Sequence, residues 1–519
     1  MFDRVIVNGT VVDGSGLSRY RADVGIRGDR IAAIGRLADA PAGERLDATG
    51  CVVTPGFVDA HVHGDIPLLV DARHEPAIRQ GVTTYIVGQD GVAMTPGSPE
   101  VREYMRRYTA GFSTGLPLPG PSASISDYLD LLTGRSPINA AVLVPNGNIR
   151  MQVMGVAERP ATASELAAMQ RLVREAMEQG AVGLSSGLDY IPSRYADTHE
   201  LIALCRQIAP FGGVYATHMR SYTPEGVQAA LDEVFQIEQQ AGCAVHIAHL
   251  NCLADQVVPL IDRARANGSE VTFDLYCYLF GSTILGMIAL PAWVQAGGID
   301  ATLARLRQRS VRQQLAAWFA QPPLSLGSVR LGWVPSAPHY EGLTLEQAYR
   351  ESRAANLGEF VCDLLLECEL AVNCIVPHHP SRTEADLVAL MRHPAMMGGS
   401  DGIFVGTRPH PRGCGCVARY LGYHVRAGHW TLEEAVQKLA YHPARRHGLR
   451  DRGLLAVGLA ADVAVFDPAT ITDRATFDDG RALAEGMRHV LVNGVVVLRD
   501  GQRTPDTPGR GLRRWGDSG

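Results

Sequence analysis

The chain has 519 residues, with 48 Lys and Arg against 54 Asp and Glu, a formal charge of -6 and a pI near 6.3. With 46% hydrophobic and 20% charged residues, this is the balance of a globular protein large enough for a barrel plus a smaller domain. It offers no basic face for nucleic acid and no apolar run approaching the roughly 20 residues of a membrane span. The opening Met1-Phe2-Asp3-Arg4-Val5 lacks the layout of a signal peptide, so a cytoplasmic protein acting on a small molecule is expected.

The first fifty residues predict short strands at 5–9, 10–14, 23–26 and 30–35, with Asn8-Gly9 and Asp13-Gly14 as hairpin signals. The tail repeats the pattern at 461–467 and 489–497, and Val-Asn-Gly occurs near both ends. The termini are therefore expected to form one β domain, 1–54 with 455–519. Between them, strands at 52–60, 82–88, 140–145, 181–186, 213–218, 244–249, 271–276 and 396–399 alternate with helical patterns such as 163–179, 198–208, 225–240 and 383–392. Eight such units predict an α/β fold, a TIM-type (β/α)₈ barrel over 55–454. A stretch near 285–350, carrying Trp293, Trp318 and Trp333, separates strands seven and eight and is a candidate insertion or lid.

His61 and His63 end the first of these strands, with Asp65 just beyond. Side chains two apart on a strand share a face and can bind one metal ion. An isolated His-x-His is more often a pair of surface histidines, but here the other strand ends carry the same chemistry. Strand two ends in Gln89-Asp90, strand five in His218-Met219-Arg220, strand six in His249-Leu250-Asn251 and strand eight in Ser400-Asp401. Catalytic groups of such barrels come from the carboxyl ends of several strands. Imidazole and carboxylate ligands suit Zn²⁺ and leave room for a reactive water. His246 falls on the opposite face from His249 and is expected to be structural, as are His424, His442 and His447. His378 and His379 lie in a loop that could line a pocket.

The ten cysteines are scattered, mostly in apolar surroundings, and read as buried free thiols of a reducing compartment. Cys414-Gly415-Cys416 is a poor match to zinc spacings. Lys438 is the single lysine.

These strand ends resemble the amidohydrolase superfamily, and the wording is similar to its N-acyl-D-amino-acid deacylase branch. The resemblance rests on the run Thr54 to His63, Gly183 to Leu188, Thr217-His218-Met219-Arg220, Gly399-Ser400-Asp401-Gly402, His410-Pro411-Arg412 and Gly458 to Pro468. It implies a (β/α)₈ barrel with a small β-sandwich built from both termini. By the same resemblance His61 and His63 match one metal position, His218 and His249 the other, and Asp401 the catalytic aspartate, with one or two zinc ions. The branch often has a bridging cysteine where this chain has Asp90, a harder ligand. It commonly has a carboxylate-holding lysine where this chain has Asn251. Superfamily members that use a carbamylated lysine would need one at an inner strand end, and Lys438 lies in a helical stretch, 431–439. Tyr276 or Tyr278, Ser282 and Arg412 are the matching substrate positions that survive, and Arg220 is placed with them.

A metal-dependent amide hydrolase follows, with N-acyl-D-amino acids as the implied substrates. Asp401 would move the proton from water to the leaving nitrogen, and Tyr190 would donate to the developing oxyanion. A hydrolase of another amide or lactam, a deaminase, and a catalytically inactive binding barrel are the alternatives, since one fold hosts many chemistries.

Overall fold

The computed structural model describes residues 1–113, 115–118, 120, 123–320 and 325–514. Residues 515–519 of the expected terminal domain and 321–324 of the expected insertion lie outside the described residues.

Eight parallel strands build the central sheet: Phe57–Asp59 (β1), Val82–Val87 (β2), Asn139–Pro145 (β3), Gly183–Gly187 (β4), Val214–His218 (β5), Ala244–Ile247 (β6), Thr272–Leu275 (β7) and Met396–Gly398 (β8). They neighbour one another in chain order. The first and last meet where Ala60 N–H donates to Gly398 O at 3.2 Å and Val62 bridges Gly402, which closes the barrel. All six residues of β2 and all seven of β3 are buried, because a parallel strand covered on both faces has no solvent side.

The helices outside are amphipathic. Ala163–Glu178 starts at a reciprocal cap between Thr162 and Glu165 and buries Met169, Val173, Ala176 and Met177, a spacing that lines one helical face. Met169, Val173 and Met177 each contribute about 1.5–3 kcal/mol by leaving water, so Val173→Asp should loosen this helix from the barrel.

The expected strand 52–60 is two strands. Val52–Pro55 pairs antiparallel with Val463–Phe466, while β1 begins after Gly56, where a Cβ would come within 2.3 Å of the Thr83 side chain. One apolar run thus serves two sheets, a division that hydrophobic pattern cannot reveal. The terminal segments form a four-stranded sheet containing Phe2–Val7 and Asp23–Arg27 and a seven-stranded sheet containing Val463–Phe466 and Met487–Val492. Ile6, Val24 and Ile26 of the first pack with Val53, Val463, Val465 and Leu491 of the second in one core, so the two sheets make a sandwich.

Between β7 and β8 a third sheet forms from Phe280–Ile284, Asn373–Pro377 and Arg330–Trp333, with its own core around Leu285, Leu331, Phe360 and Leu365. This unit is larger than the expected 285–350. Its edges are short strands paired across about ninety residues of chain, as in Ile284 with Asn373, and such pairing leaves no local signal. All ten cysteines are buried free thiols, Cys414 and Cys416 among them. No helix among the described residues is long and apolar enough to cross a membrane.

Candidate active site

The chain leaves β1 at Asp59, whose carboxylate accepts from the backbone N–H of His61 at 3.2 Å and of Ser400 at 2.8 Å. That buried group ties the ends of β1 and β8 together, and Asp401 N–H donates to His61 O at 2.7 Å. His61, His63 and Asp401 therefore share one end of the barrel with Asp90 after β2, His218 at the end of β5 and His249 after β6. Asp90, His249 and Asp401 all adopt left-handed backbone, with φ of 54°, 33° and 49°. Such conformations cost free energy in non-glycine residues and gather at functional sites.

Three overlapping groups result: His61 with His63 and Asp90, His61 with His249 and Asp401, and Asp90 with His218 and His249. Asp90 belongs to two of them and reaches all four histidines, 3.7 Å from His61 Nε2, 3.6 Å from His63 Nε2, 3.9 Å from His218 Nδ1 and 3.8 Å from His249 Nε2. Asp401 lies 3.4 Å from His63 Nε2 and 3.8 Å from His61 Nε2. His61 is fully buried, yet neither ring nitrogen makes a hydrogen bond, nor does Asp90 Oδ1. Unsatisfied buried polar atoms are costly and need a partner. A cation among these nitrogen and oxygen donors supplies it, and the set fits zinc.

The electrostatics agree. Burial should lower the His61 and His218 imidazoles, but Asp90 and Asp274 raise His61 well above its ordinary value, and Asp189 with Asp90 raises His218. Burial likewise opposes ionisation of Asp90, and the neighbouring His61 and His249 override it. The carboxylates thus stabilise positive charge at this spot, whether carried by protons or by a metal that displaces them. Asp401 is raised by burial but brought down to about 2 by Arg412 and His63. Asp65 stands apart: it accepts from Gly88 N–H at 3.2 Å, and burial raises it to about 6.

A cavity of about 890 Å³ opens over the cluster, lined by Tyr190, Arg220, Asn251, Tyr276, Ser282 and Asp401 among others. Not every expected substrate residue faces it as expected. Arg220 reaches the wall, but its guanidinium is committed to Glu233 at 2.8 Å and to the carbonyls of Arg194 and Ala196. Arg412 is fully buried off the cavity wall, 2.8 Å from Asp401 Oδ2 and stacked 4.5 Å from the Tyr276 ring. Of the two tyrosines left open, Tyr276 lines the cavity and Tyr278 does not. Tyr190 keeps its hydroxyl on Thr283 at 3.0 Å.

Several residues at the site escaped the sequence reading. Asp274 on β7 is fully buried behind the cluster, accepting from His249 N–H and from His246 Nε2, both at 2.9 Å, and lying 3.4 Å from His61 Nδ1. His246 thus does lie behind its strand, but it buttresses a carboxylate that touches the site. An aspartate inside the buried-type run Val271-Thr272-Phe273-Asp274-Leu275 was the available signal. Asp189 sits 3.5 Å from His218 Nε2. Lys438 lies far from this role: its Nζ donates to Met391 O at 2.6 Å and His393 O at 2.8 Å.

A closed parallel barrel with histidines and carboxylates converging at the carboxyl ends of its strands is the layout of a metal-using barrel enzyme. Comparison with known proteins specifies it further. A sequence model described as the amidohydrolase family matches residues 44–498, and the chain belongs to that family. It is 36% identical over 527 residues to D-aminoacylase of Alcaligenes xylosoxydans xylosoxydans, covering 99% of this chain and 98% of that one. It is 37% identical over 528 residues to the N-acyl-D-glutamate deacylase of the same organism, covering 99% and 96%. Among solved structures, N-acyl-D-glutamate deacylase from Bordetella bronchiseptica, complexed with zinc and a phosphonate mimic of the tetrahedral intermediate, superposes with a TM-score of 0.83 at 34% identity over 99% of each chain.

Proposed function

We propose that the protein is a zinc-dependent amide hydrolase that removes the acyl group from N-acyl-D-amino acids. The observation that carries this reading is the set of buried, unsatisfied donor atoms of His61 and Asp90 within three overlapping His/Asp groups at the cavity floor. The full-length similarity to proteins named D-aminoacylase and N-acyl-D-glutamate deacylase supports the substrate class.

His61, His63, Asp90, His218 and His249 would hold one or two ions. Zinc in such a site polarises a carbonyl and makes a water molecule acidic near neutral pH. Asp401, on the cavity wall, accepts the proton of the attacking water and returns it to the leaving nitrogen, as a positioned carboxylate can. Arg412 keeps that carboxylate ionised and aimed. Tyr190 faces the cavity where a developing oxyanion needs a donor. Phe112, Met287, Ile288 and Ile403 supply an apolar wall for the substrate's side chain or acyl chain. A lysine-bridged hydrolase reading lacks support, because Lys438 is bound to carbonyls of the helical layer.

The test is a kinetic screen of matched N-acetyl-D- and N-acetyl-L-amino acids on protein of measured metal content. Turnover of the D series, abolished by chelation and restored by zinc, is expected. Preference for the L series, or turnover indifferent to chelation, would overturn the reading.

A further inference from the structure

Among the described residues, the cavity wall carries no uncommitted cation to meet a substrate carboxylate. Asn251 is neutral, Arg220 spends its donors on Glu233 and two carbonyls, and Arg412 lies behind Asp401. Among the described residues, Arg382 near the wall spends only Nη1, which donates to Tyr278 O at 3.3 Å and to His378. Arg382 is 4% exposed, its Nε and Nη2 have no hydrogen-bond partner, and it makes no ion pair among the described residues. A buried guanidinium without a counter-ion is costly, and it calls for an anion within electrostatic reach.

Its Nη1 touches His378 Nδ1 at 2.6 Å. A guanidinium only donates, so His378 Nδ1 must accept and its proton must reside on Nε2. Nε2 lies 3.0 Å from the Tyr276 hydroxyl. That hydroxyl therefore accepts from His378 and has its own proton left to give. His378 and Tyr276 both line the cavity. Gly281 keeps the approach open, since a Cβ there would come within 3.1 Å of Tyr276 Oη. Burial and the nearby Arg382 hold His378 well below its ordinary value, in keeping with a neutral ring.

We propose that Arg382, His378 and Tyr276 form a polarised donor chain that receives the carboxylate of the substrate. The inference rests on the N-acyl-amino-acid reading above and supplies its anion site. Tyr276 would touch the substrate, and His378 and Arg382 are positioning residues acting through it. The charge of Arg382 polarises each bond in turn, and chains of this kind strengthen their terminal donor.

The experiment compares an N-acetyl-D-amino acid with its carboxamide, which masks the charge. Wild-type protein should strongly prefer the free acid. Tyr276→Phe and His378→Leu should raise KM for the free acid roughly tenfold to a hundredfold, the scale of one hydrogen bond to a charged group, with kcat and the carboxamide little changed. The double variant should be no worse than Tyr276→Phe alone, because both act through one chain. His378→Gln, which can both accept and donate, should recover most of the loss. Should His378→Leu fail to fold, Tyr276→Phe and His378→Gln still decide the matter. Equal losses on masked and free substrates, or a wild-type protein indifferent to masking, would overturn the donor chain while leaving the deacylase reading intact. No turnover of either compound by zinc-loaded wild type would instead fell the deacylase reading, and the donor chain with it.

Discussion

The two ends of the barrel solve the problem of buried polar groups in opposite ways. At the amino-terminal end of the strands, Asp462 accepts from Asn493 N–H at 2.7 Å, from Asn139 Nδ2 at 3.1 Å and from Arg452 Nη1. Asn139 Oδ1 in turn accepts from Asn493 Nδ2 at 2.7 Å and from Arg510 N–H at 3.1 Å. Each group there has its partner inside the protein, and the network clasps the terminal sheets to the foot of β3. At the carboxyl-terminal end, His61 and Asp90 keep buried atoms without partners, and three site residues adopt left-handed backbone. A satisfied network holds the architecture, and an unsatisfied one marks where something from outside must bind.

Substitutions should separate the two ends cleanly. The largest effect is expected from Asp462→Ala, which removes the buried carboxylate from Arg452, leaving it only the more exposed Asp451 at 3.2 Å, and takes the acceptor from Asn493 N–H, so it should cost about 3 kcal/mol of stability. Urea denaturation measures it, and activity per folded molecule should stay at the wild-type level. A loss of activity in the folded fraction would show that the two ends are coupled. Asp401→Asn should act on turnover instead, lowering kcat per folded molecule by about 10² or more, the scale of a lost general acid/base group, with zinc content near wild type, while the loss of the carboxylate beside buried Arg412 also costs stability. Retained kcat would mean that the proton takes another route.

Asp90→Ala tests whether the carboxylate that reaches all four histidines binds metal. Removing a ligand carboxylate should weaken zinc by more than the roughly 10–100-fold that losing a ligand's outer hydrogen-bond partner costs. Competition with a chelator reads this directly, independent of catalysis. Unchanged affinity would assign Asp90 to shaping the histidines rather than holding the ion.

The contrast also explains what could be read in the sequence. The strands announced themselves through apolar runs, and the site histidines through their place at strand ends, since both signals are local. What stayed hidden depended on distant partners. Val52–Pro55 and β1 look like one strand because only their pairing with different sheets divides them. Arg220 and Arg412 look like equivalent substrate cations until Glu233 and Asp401 claim them. Arg382 and His378 lie in a loop whose meaning depends on Tyr276, about a hundred residues away in the chain. Spacing within a strand reports which residues share a face, but it says nothing of what satisfies them.

The smallest effect concerns a buried charge that belongs to neither end. Lys438 is held by two carbonyls, and burial lowers it from its ordinary 10.5 to about 8. Below that value the lysine is protonated in both folded and unfolded chains, and the cost of burying its charge is fully present. Between the two values the unfolded chain retains the proton that the folded one has released, so stability rises with pH across that window. Lys438→Met lacks this slope, while every other titrating group is shared. The wild type should therefore gain stability relative to Lys438→Met as the pH is raised from about 8 to about 10, a difference that denaturation curves measure. Parallel stability profiles for the two proteins would show that the carbonyls of Met391 and His393 hold the ammonium as well as water does, making Lys438 a second satisfied group rather than a tolerated one.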